Sequence, residues 1–90
     1  MKKKPKKIKH SELWNLDYTL AEYILPRLVA FRKMKRTGTP ASLGTKKEWD
    51  IMLDDMIYAM KYVLKDGMRS DERAQRGLEE FGKHFLGLWD

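Results

Sequence analysis

The stretch LWNLDYTLAEYILPRLVAFRKM, residues 13–34, constrains the fold more than any other part of the chain. Apolar residues recur in it every three or four positions, at Leu16, Leu20, Ile24, Leu28 and Phe31. This is the spacing of residues on one face of an α-helix. The stretch therefore predicts a long first helix that turns this face toward a core.

Local signals predict where this helix starts, bends and ends. Thr19 followed by Glu22 is a capping-box pattern, which predicts a start near residues 17–19. Gly38 predicts an end just before it. Pro26 lies inside the helix and has no amide hydrogen for the Glu22 carbonyl, so we expect a kink there.

Arg27 falls in the middle of the predicted apolar face, within roughly 20° of Leu20 at about 100° per residue. A charge in that position needs a partner, because burying an unpaired charge is costly. One interpretation is an ion pair with an acid, for which Asp17, Asp54 and Asp55 are the candidates. The other is a pocket in which Arg27 holds a phosphate or carboxylate with two hydrogen bonds.

Length and composition predict a single small domain of a soluble intracellular protein. Ninety residues suffice for one domain with a marginal core, which a partner subunit would help to stabilise. The chain has no cysteine, so disulfides and thiolate metal sites are excluded. It also has no apolar run long enough to cross a membrane and no apolar signal segment near the N-terminus.

The net charge of +6 is concentrated in the first residues, MKKKPKKIK, which hold six of the 19 basic residues. The rest of the chain has 13 basic and 13 acidic residues. We expect residues 1–10 to form a disordered lysine-rich tail and residues 11–90 to form a single helical domain. The tail would either contact phosphates in a salt-dependent way or simply raise solubility.

A second basic region surrounds the first connection, because residues 10–47 carry seven basic and three acidic residues. Its cations are Arg32, Lys33, Lys35, Arg36, Lys46 and Lys47. The loop between them, residues 37–44, contributes the hydroxyls of Thr39 and Ser42 and leads to a second capping box, Thr45 with Glu48. Backbone amides at this helix start would complete an anion site. A plain connecting loop is the alternative.

The second helix is predicted over residues 45–65 and has apolar residues on two sides. Its broad core face comprises Trp49, Met52, Leu53, Met56, Met60, Val63 and Leu64, and a second stripe comprises Ile51, Tyr58 and Tyr62. Three helices cannot easily cover both sides. We therefore expect a homo-oligomeric bundle in which another copy covers the second stripe. The alternative is that the N-terminal segment, with Trp14, covers it.

The third helix is predicted to start at Ser70 or Asp71 and to continue almost to Asp90. Gly77 and Gly82 lie inside it, although glycine costs about 1 kcal/mol relative to alanine there. They suggest close approach by another helix or by a ligand. The pattern predicts that His84 is a partly buried structural histidine.

No constellation predicts catalysis or a cofactor. The two histidines belong to no known metal or nucleophile motif, and no phosphate-binding glycine loop is present. Asp50 and Asp54 are one turn apart, but a solvated face explains them better than a metal site. We expect a protein that is not an enzyme.

Three stretches resemble a group of short uncharacterised proteins of tailed bacteriophages. They are LWNLDYTLAEYILPRLVAFRKM, EWDIMLDDMIYAMKYVL and LEEFGKHFLGLWD, of which ILPRL and EWD…LDDMI are the most specific parts. The resemblance covers most of the chain beyond the lysine tail. It implies a phage protein that acts in the host cytoplasm, and it assigns no site residue.

The leading hypothesis is a helical homo-oligomer that binds and sequesters an anionic nucleotide-like ligand, such as a host defence signal. The predicted ligand-binding residues are Arg27, Arg32, Lys35, Arg36, Thr39, Ser42, Lys46, Lys47, Tyr58 and Tyr62. Tyr58 or Tyr62 would stack on a base. One alternative is an accessory protein that binds nucleic acid through the tail and residues 32–47. Another is an inhibitor that binds a host protein through the stripe of Ile51, Tyr58 and Tyr62, which we call the tyrosine stripe.

Overall fold

The chain folds into α-helices, as the sequence predicts. A computed structural model describes residues 7–34, 45–66 and 69–88, with the backbone alone at Asp66. The elements are α1 (His10–Trp14), α2 (Leu16–Lys33), α3 (Lys46–Asp66), α4 (Glu72–Lys83) and a 3₁₀ turn (Phe85–Gly87). Within these residues there are four α-helices rather than three, because the expected lead-in to the first helix forms the short α1.

Helix α3 is the centre of the fold, with α2 packed on one side and α4 on another. In the described ranges α2 and α4 do not contact each other, so the helices form a flat layer with dimensions of 43 × 42 × 20 Å. The largest fully buried side chains are those of Trp49, Leu53 and Met56, all on α3. Full burial of such side chains contributes about 1.5–3 kcal/mol each. The core face predicted for the second helix is therefore confirmed.

Helix α2 begins at Leu16. The preceding residue, Asn15, has φ −125° and ψ 68°, which is not a helical conformation and separates α1 from α2. The capping box predicted for Thr19 is wrong, because that residue already lies inside the helix. Helix α2 continues through Pro26 to Lys33, and the Met34 amide closes it with a hydrogen bond to a carbonyl one turn earlier. The predicted kink at Pro26 stays a prediction, and Gly38 lies outside the described residues.

The face that α2 turns toward the core agrees with the predicted one at Ile24, Leu28 and Phe31 and differs from it at Leu16 and Leu20. Ala21 and Leu28 are buried, and Ile24, Leu25 and Phe31 pack beside them. Leu16 and Leu20, both expected in the core, are exposed. The small side chain of Ala21 lets α2 lie close to α3, and the leucine stripe then faces outward.

Helix α4 begins where the sequence predicts and ends earlier. The Asp71 side chain caps the helix by accepting a hydrogen bond of 2.9 Å from the Ala74 amide. The helix stops at Lys83 rather than near Asp90, and the chain continues in the 3₁₀ turn. His84 follows the last helical residue and is buried, with its ring edge against Trp49 at a centroid distance of 6.1 Å. The histidine is structural, as expected.

The two glycines of α4 have different surroundings. A Cβ on Gly77 would overlap the backbone carbonyl of Asp55 and lie 2.9 Å from the Cβ of Ala59. The close approach predicted at Gly77 is therefore confirmed, and the neighbour is α3. A Cβ on Gly82 would meet nothing within 4 Å, so no helix among the described residues approaches it closely, and approach by a ligand stays a prediction there.

Candidate ligand-binding cleft

Tyr58 and Tyr62 are covered in part by their own chain. The Tyr58 hydroxyl donates a hydrogen bond of 2.9 Å to Oδ2 of Asp71, and the Tyr62 hydroxyl donates one of 2.9 Å to the Arg69 carbonyl. The two rings stack with centroids 6.4 Å apart and an interplanar angle of 14°. The segment that leads into α4 therefore covers the tyrosines. The sequence did not predict this cover. Ile51, in the same stripe, remains 53% exposed, so cover of the stripe by another copy or by the N-terminal segment stays a prediction.

A cleft lies where this segment crosses the end of α3. We call it the tyrosine cleft, and it is lined by Tyr58, Lys61, Tyr62, Lys65, Arg69 and Asp71. Its volume is about 460 Å³. An adjoining cleft of about the same volume shares Tyr62, Arg69 and Asp71 and extends along α4 as far as Leu78. Pockets of this size accept small molecules.

The tyrosine cleft presents more positive than negative charge. Lys61 and Lys65 are exposed at its rim, and Arg69 contributes a third cation. Among the described lining residues the one carboxylate is that of Asp71, which already accepts hydrogen bonds from the Ala74 amide and from Tyr58. These bonds, the amide first, hold the pKa of Asp71 below its ordinary value. The cleft is thus suited to an anion.

The hydrogen bond between Tyr58 and Asp71 also affects the pKa of Tyr58. It is the main reason that the pKa of Tyr58 lies above its ordinary value. The Arg73 guanidinium lies over the ring of Tyr58, with its carbon 4.5 Å from the centroid. A neutral, hydrogen-bonded phenol is therefore held between Asp71 and Arg73, which fixes one wall of the cleft.

An ion cluster around the buried carboxylate of Asp55 holds α4 against α3 beside the cleft. Asp55, only 6% exposed, accepts hydrogen bonds of 3.0 Å from Nε of Arg73 and 3.4 Å from Nε of Arg76. Burial raises the pKa of Asp55, but hydrogen bonds with Arg73, Glu80 and Arg76 outweigh it and leave the pKa lowered. Asp55 is therefore ionised and fixes Arg73, which in turn positions the Tyr58 ring.

Glu80 brings a second carboxyl group to this cluster. Its Oε1 is buried, and no donor among the described residues reaches it. Burial, followed by the hydrogen bond and the negative charge of Asp55, raises the pKa of Glu80 to about 7. Two ionised carboxylates can only accept hydrogen bonds, so Asp55 and Glu80 cannot bond to each other when both are ionised. A proton on Glu80 supplies the hydrogen-bond donor between them.

Arg27 is exposed on α2 and was wrongly expected in the core. Nη1 of Arg27 donates a hydrogen bond of 2.9 Å to the Tyr23 carbonyl, and its guanidinium carbon lies 3.6 Å from the Tyr23 ring centroid. In the described ranges it pairs with none of the three aspartates proposed for it. It lines neither cleft.

Arg32 joins α2 to α3. Its Nε and Nη2 donate to the two carboxylate oxygens of Asp54 at 3.0 and 3.4 Å, and its Nη1 lies 3.6 Å from Oδ2 of Asp50. The Asp54 hydrogen bond is the main reason that the pKa of Arg32 is raised. The two aspartates considered as metal ligands thus bind Arg32, and no cluster suited to a metal occurs in the described ranges.

The remaining predicted site residues divide into three groups. Tyr58 and Tyr62 line the tyrosine cleft. Lys46 and Lys47 are exposed at the start of α3, where Thr45 Oγ1 accepts a hydrogen bond of 3.1 Å from the Glu48 amide, as the capping box predicts. Lys35, Arg36, Thr39 and Ser42 lie outside the described residues.

Sequence reasoning missed Lys61, Lys65 and Arg69 as companions of the tyrosines. Two of them could have been found, because Lys61 and Lys65 lie within one turn of Tyr58 and Tyr62 on the same helix. Arg69 could not, because the segment between α3 and α4 has no periodic pattern that fixes its path.

No protein-family model, curated protein or solved structure proved similar to the chain. The resemblance to phage proteins therefore stays a prediction. Among the described helices, none combines the length and apolar composition that crossing a bilayer requires.

Proposed function

We propose that this protein is a non-enzymatic binding protein whose tyrosine cleft holds an anionic, nucleotide-like ligand. The observation that carries the proposal is the juxtaposition of a stacked tyrosine pair with Lys61, Lys65 and Arg69 around one concave surface. Aromatic rings suit a base, and cations suit a phosphate.

The chemistry of the cleft favours binding over turnover. Tyr58 is held neutral by Asp71, and Asp71 is occupied as a helix cap. Neither group is thereby poised to move a proton, and no nucleophile with an adjacent base lines the cleft as described. The phosphate would lie against the lysines, and the base would stack on the tyrosine pair.

Titration calorimetry with AMP, ATP, GTP and cyclic dinucleotides tests this proposal. We expect at least one of these ligands to bind, and we expect the double substitution Lys61→Gln and Lys65→Gln to weaken its affinity at least tenfold. Losing one charge-assisted hydrogen bond costs about 1.5–3 kcal/mol, and 1.4 kcal/mol corresponds to a factor of ten.

The matched control is the double substitution Lys46→Gln and Lys47→Gln. It removes the same charge from the same helix at residues that line neither cleft, so the affinity should stay within about twofold. If the control weakens binding and the cleft variant does not, the ligand lies at the basic first connection instead. Absence of binding by a folded protein across the whole panel would refute the proposal.

The biological setting is a further part of the proposal and rests on the phage resemblance alone. A phage protein that sequesters a host signalling nucleotide would act in the host cytoplasm and would weaken the host's defence response. We also propose that the protein is a homo-oligomer. Because Tyr58 and Tyr62 are partly covered by their own chain, we place the interface on a more exposed apolar surface.

A further inference from the structure

Helix α2 carries two apolar stripes, of which α3 covers only one. The core stripe contains Ala21 and Leu28. We call the other the outer stripe; it consists of Leu16, Leu20, Tyr23 and Arg27, and all four are exposed. Its intervals of four, three and four residues are those of a coiled-coil seam.

Short α1 precedes the outer stripe in the chain and carries two further exposed apolar side chains. Leu13 is exposed, and Trp14, at 75% exposure, is among the most exposed large apolar side chains described. Covering these two residues together with Leu16, Leu20 and Tyr23 would remove roughly 500 Å² of surface per copy. Two copies would then bury about 1,000 Å², which is sufficient for a specific interface.

We propose that the outer stripe is the interface between two copies of this chain, packed with their α2 helices antiparallel. This inference rests on the homo-oligomer part of the proposed function and is independent of the ligand.

The charges along the outer stripe favour an antiparallel orientation of the two α2 helices. Asp17 adjoins Leu16 at one end, and Arg27 stands at the other. A parallel pair would place like charges together, whereas an antiparallel pair with Leu20 opposite Tyr23 brings Arg27 of each copy beside Asp17 of the other. Arg27 stacks on Tyr23 and so already lies along the stripe. Asp17 also disfavours an anionic lipid surface as the occupant.

Light scattering and sedimentation velocity on the full chain test this interface. We expect a mass of twice the 10.7 kDa chain for the wild type. Leu20→Glu should raise the dimer dissociation constant at least a hundredfold and leave a monomer. Ile51→Glu is the matched control, because Leu20 and Ile51 are 50% and 53% exposed and Ile51 belongs to the stripe on α3. It should leave the dimer intact.

A charge swap tests the antiparallel register even if Leu20→Glu fails to fold. Asp17→Arg and Arg27→Asp should each weaken the dimer at least tenfold, and the double variant should restore it. A dimer that survives Leu20→Glu, or a double variant weaker than both single variants, would overturn the proposal.

Two further outcomes would show that the outer stripe is not an interface between copies. A monomeric wild type at millimolar concentration overturns the proposal outright. If that monomer sediments with phosphatidylserine vesicles, and Leu20→Glu prevents this, the occupant is a lipid surface. The tyrosine cleft is lined by residues of one copy, so the Leu20→Glu monomer should still bind the nucleotide. Nucleotide binding by a monomer therefore tests the ligand proposal separately from the interface proposal.

Discussion

Replacing Gly77 by alanine is expected to destabilise the protein by about 1–3 kcal/mol. The new Cβ would overlap the backbone carbonyl of Asp55, and backbone cannot move aside as a flexible side chain does. Forcing the two helices apart costs about 1–3 kcal/mol or more, against which the higher helix propensity of alanine returns up to about 1 kcal/mol. Thermal unfolding followed by circular dichroism should show a midpoint lowered by about 5–20 °C.

Gly82→Ala is the matched control on the same helix. Nothing lies within 4 Å of a Cβ at that position, so the substitution should be neutral or should stabilise the protein by up to about 1 kcal/mol. If Gly77→Ala is as stable as Gly82→Ala, α4 does not approach α3 as described. The cleft wall and the ion cluster at Asp55 would then also be misplaced.

The contrast between Gly77 and Gly82 illustrates what a single sequence can predict. Both glycines interrupt a helical pattern and predict the same close approach. Only the position of α3 distinguishes them, and that position depends on contacts between distant parts of the chain. Periodicity identified the three longer helices and the buried face of α3, where Trp49, Leu53 and Met56 belong to the broader of its two apolar sides.

On α2 the same reasoning succeeded only in part. The hydrophobic pattern correctly placed Ile24, Leu28 and Phe31 against the core. It wrongly added Leu16 and Leu20, because leucine is larger and more apolar than Ala21. Tight packing against α3 selects the small residue instead. Arg27 was consequently placed in the core, although it stacks on Tyr23 at the surface.

The candidate site was predicted in part for a related reason. Tyr58 and Tyr62 were recognised by residue type, which the sequence displays directly. Arg32 was assigned to a ligand because its partner, Asp54, lies 22 residues later and becomes a neighbour only after folding. Asp55 and Glu80 likewise meet across two helices, so no spacing rule could show that one raises the pKa of the other.

The pairing of Asp55 with Glu80 predicts a stability that falls as the pH rises toward neutrality. The pKa of Glu80 is about 7 in the folded protein and 4.5 ordinarily, so the folded state binds this proton more tightly than the unfolded state. The contribution is fully present below about pH 4.5 and is lost as the pH rises through about 7. After allowance for partial exposure of Glu80, we expect about 1–3 kcal/mol.

Urea unfolding of the wild type and of Glu80→Gln between pH 5 and 8 measures this contribution. The glutamine imitates the protonated carboxyl and cannot ionise, so its free energy of unfolding should not show the decline over this range. Glu79→Gln removes the same charge from the neighbouring position and should keep the wild-type decline. The lowered pKa of Asp55 affects only more acidic solutions, because its stabilisation is lost as the pH falls. If Glu80→Gln declines as steeply as the wild type, Glu80 is ionised throughout this range, and the two carboxyl groups do not share a proton.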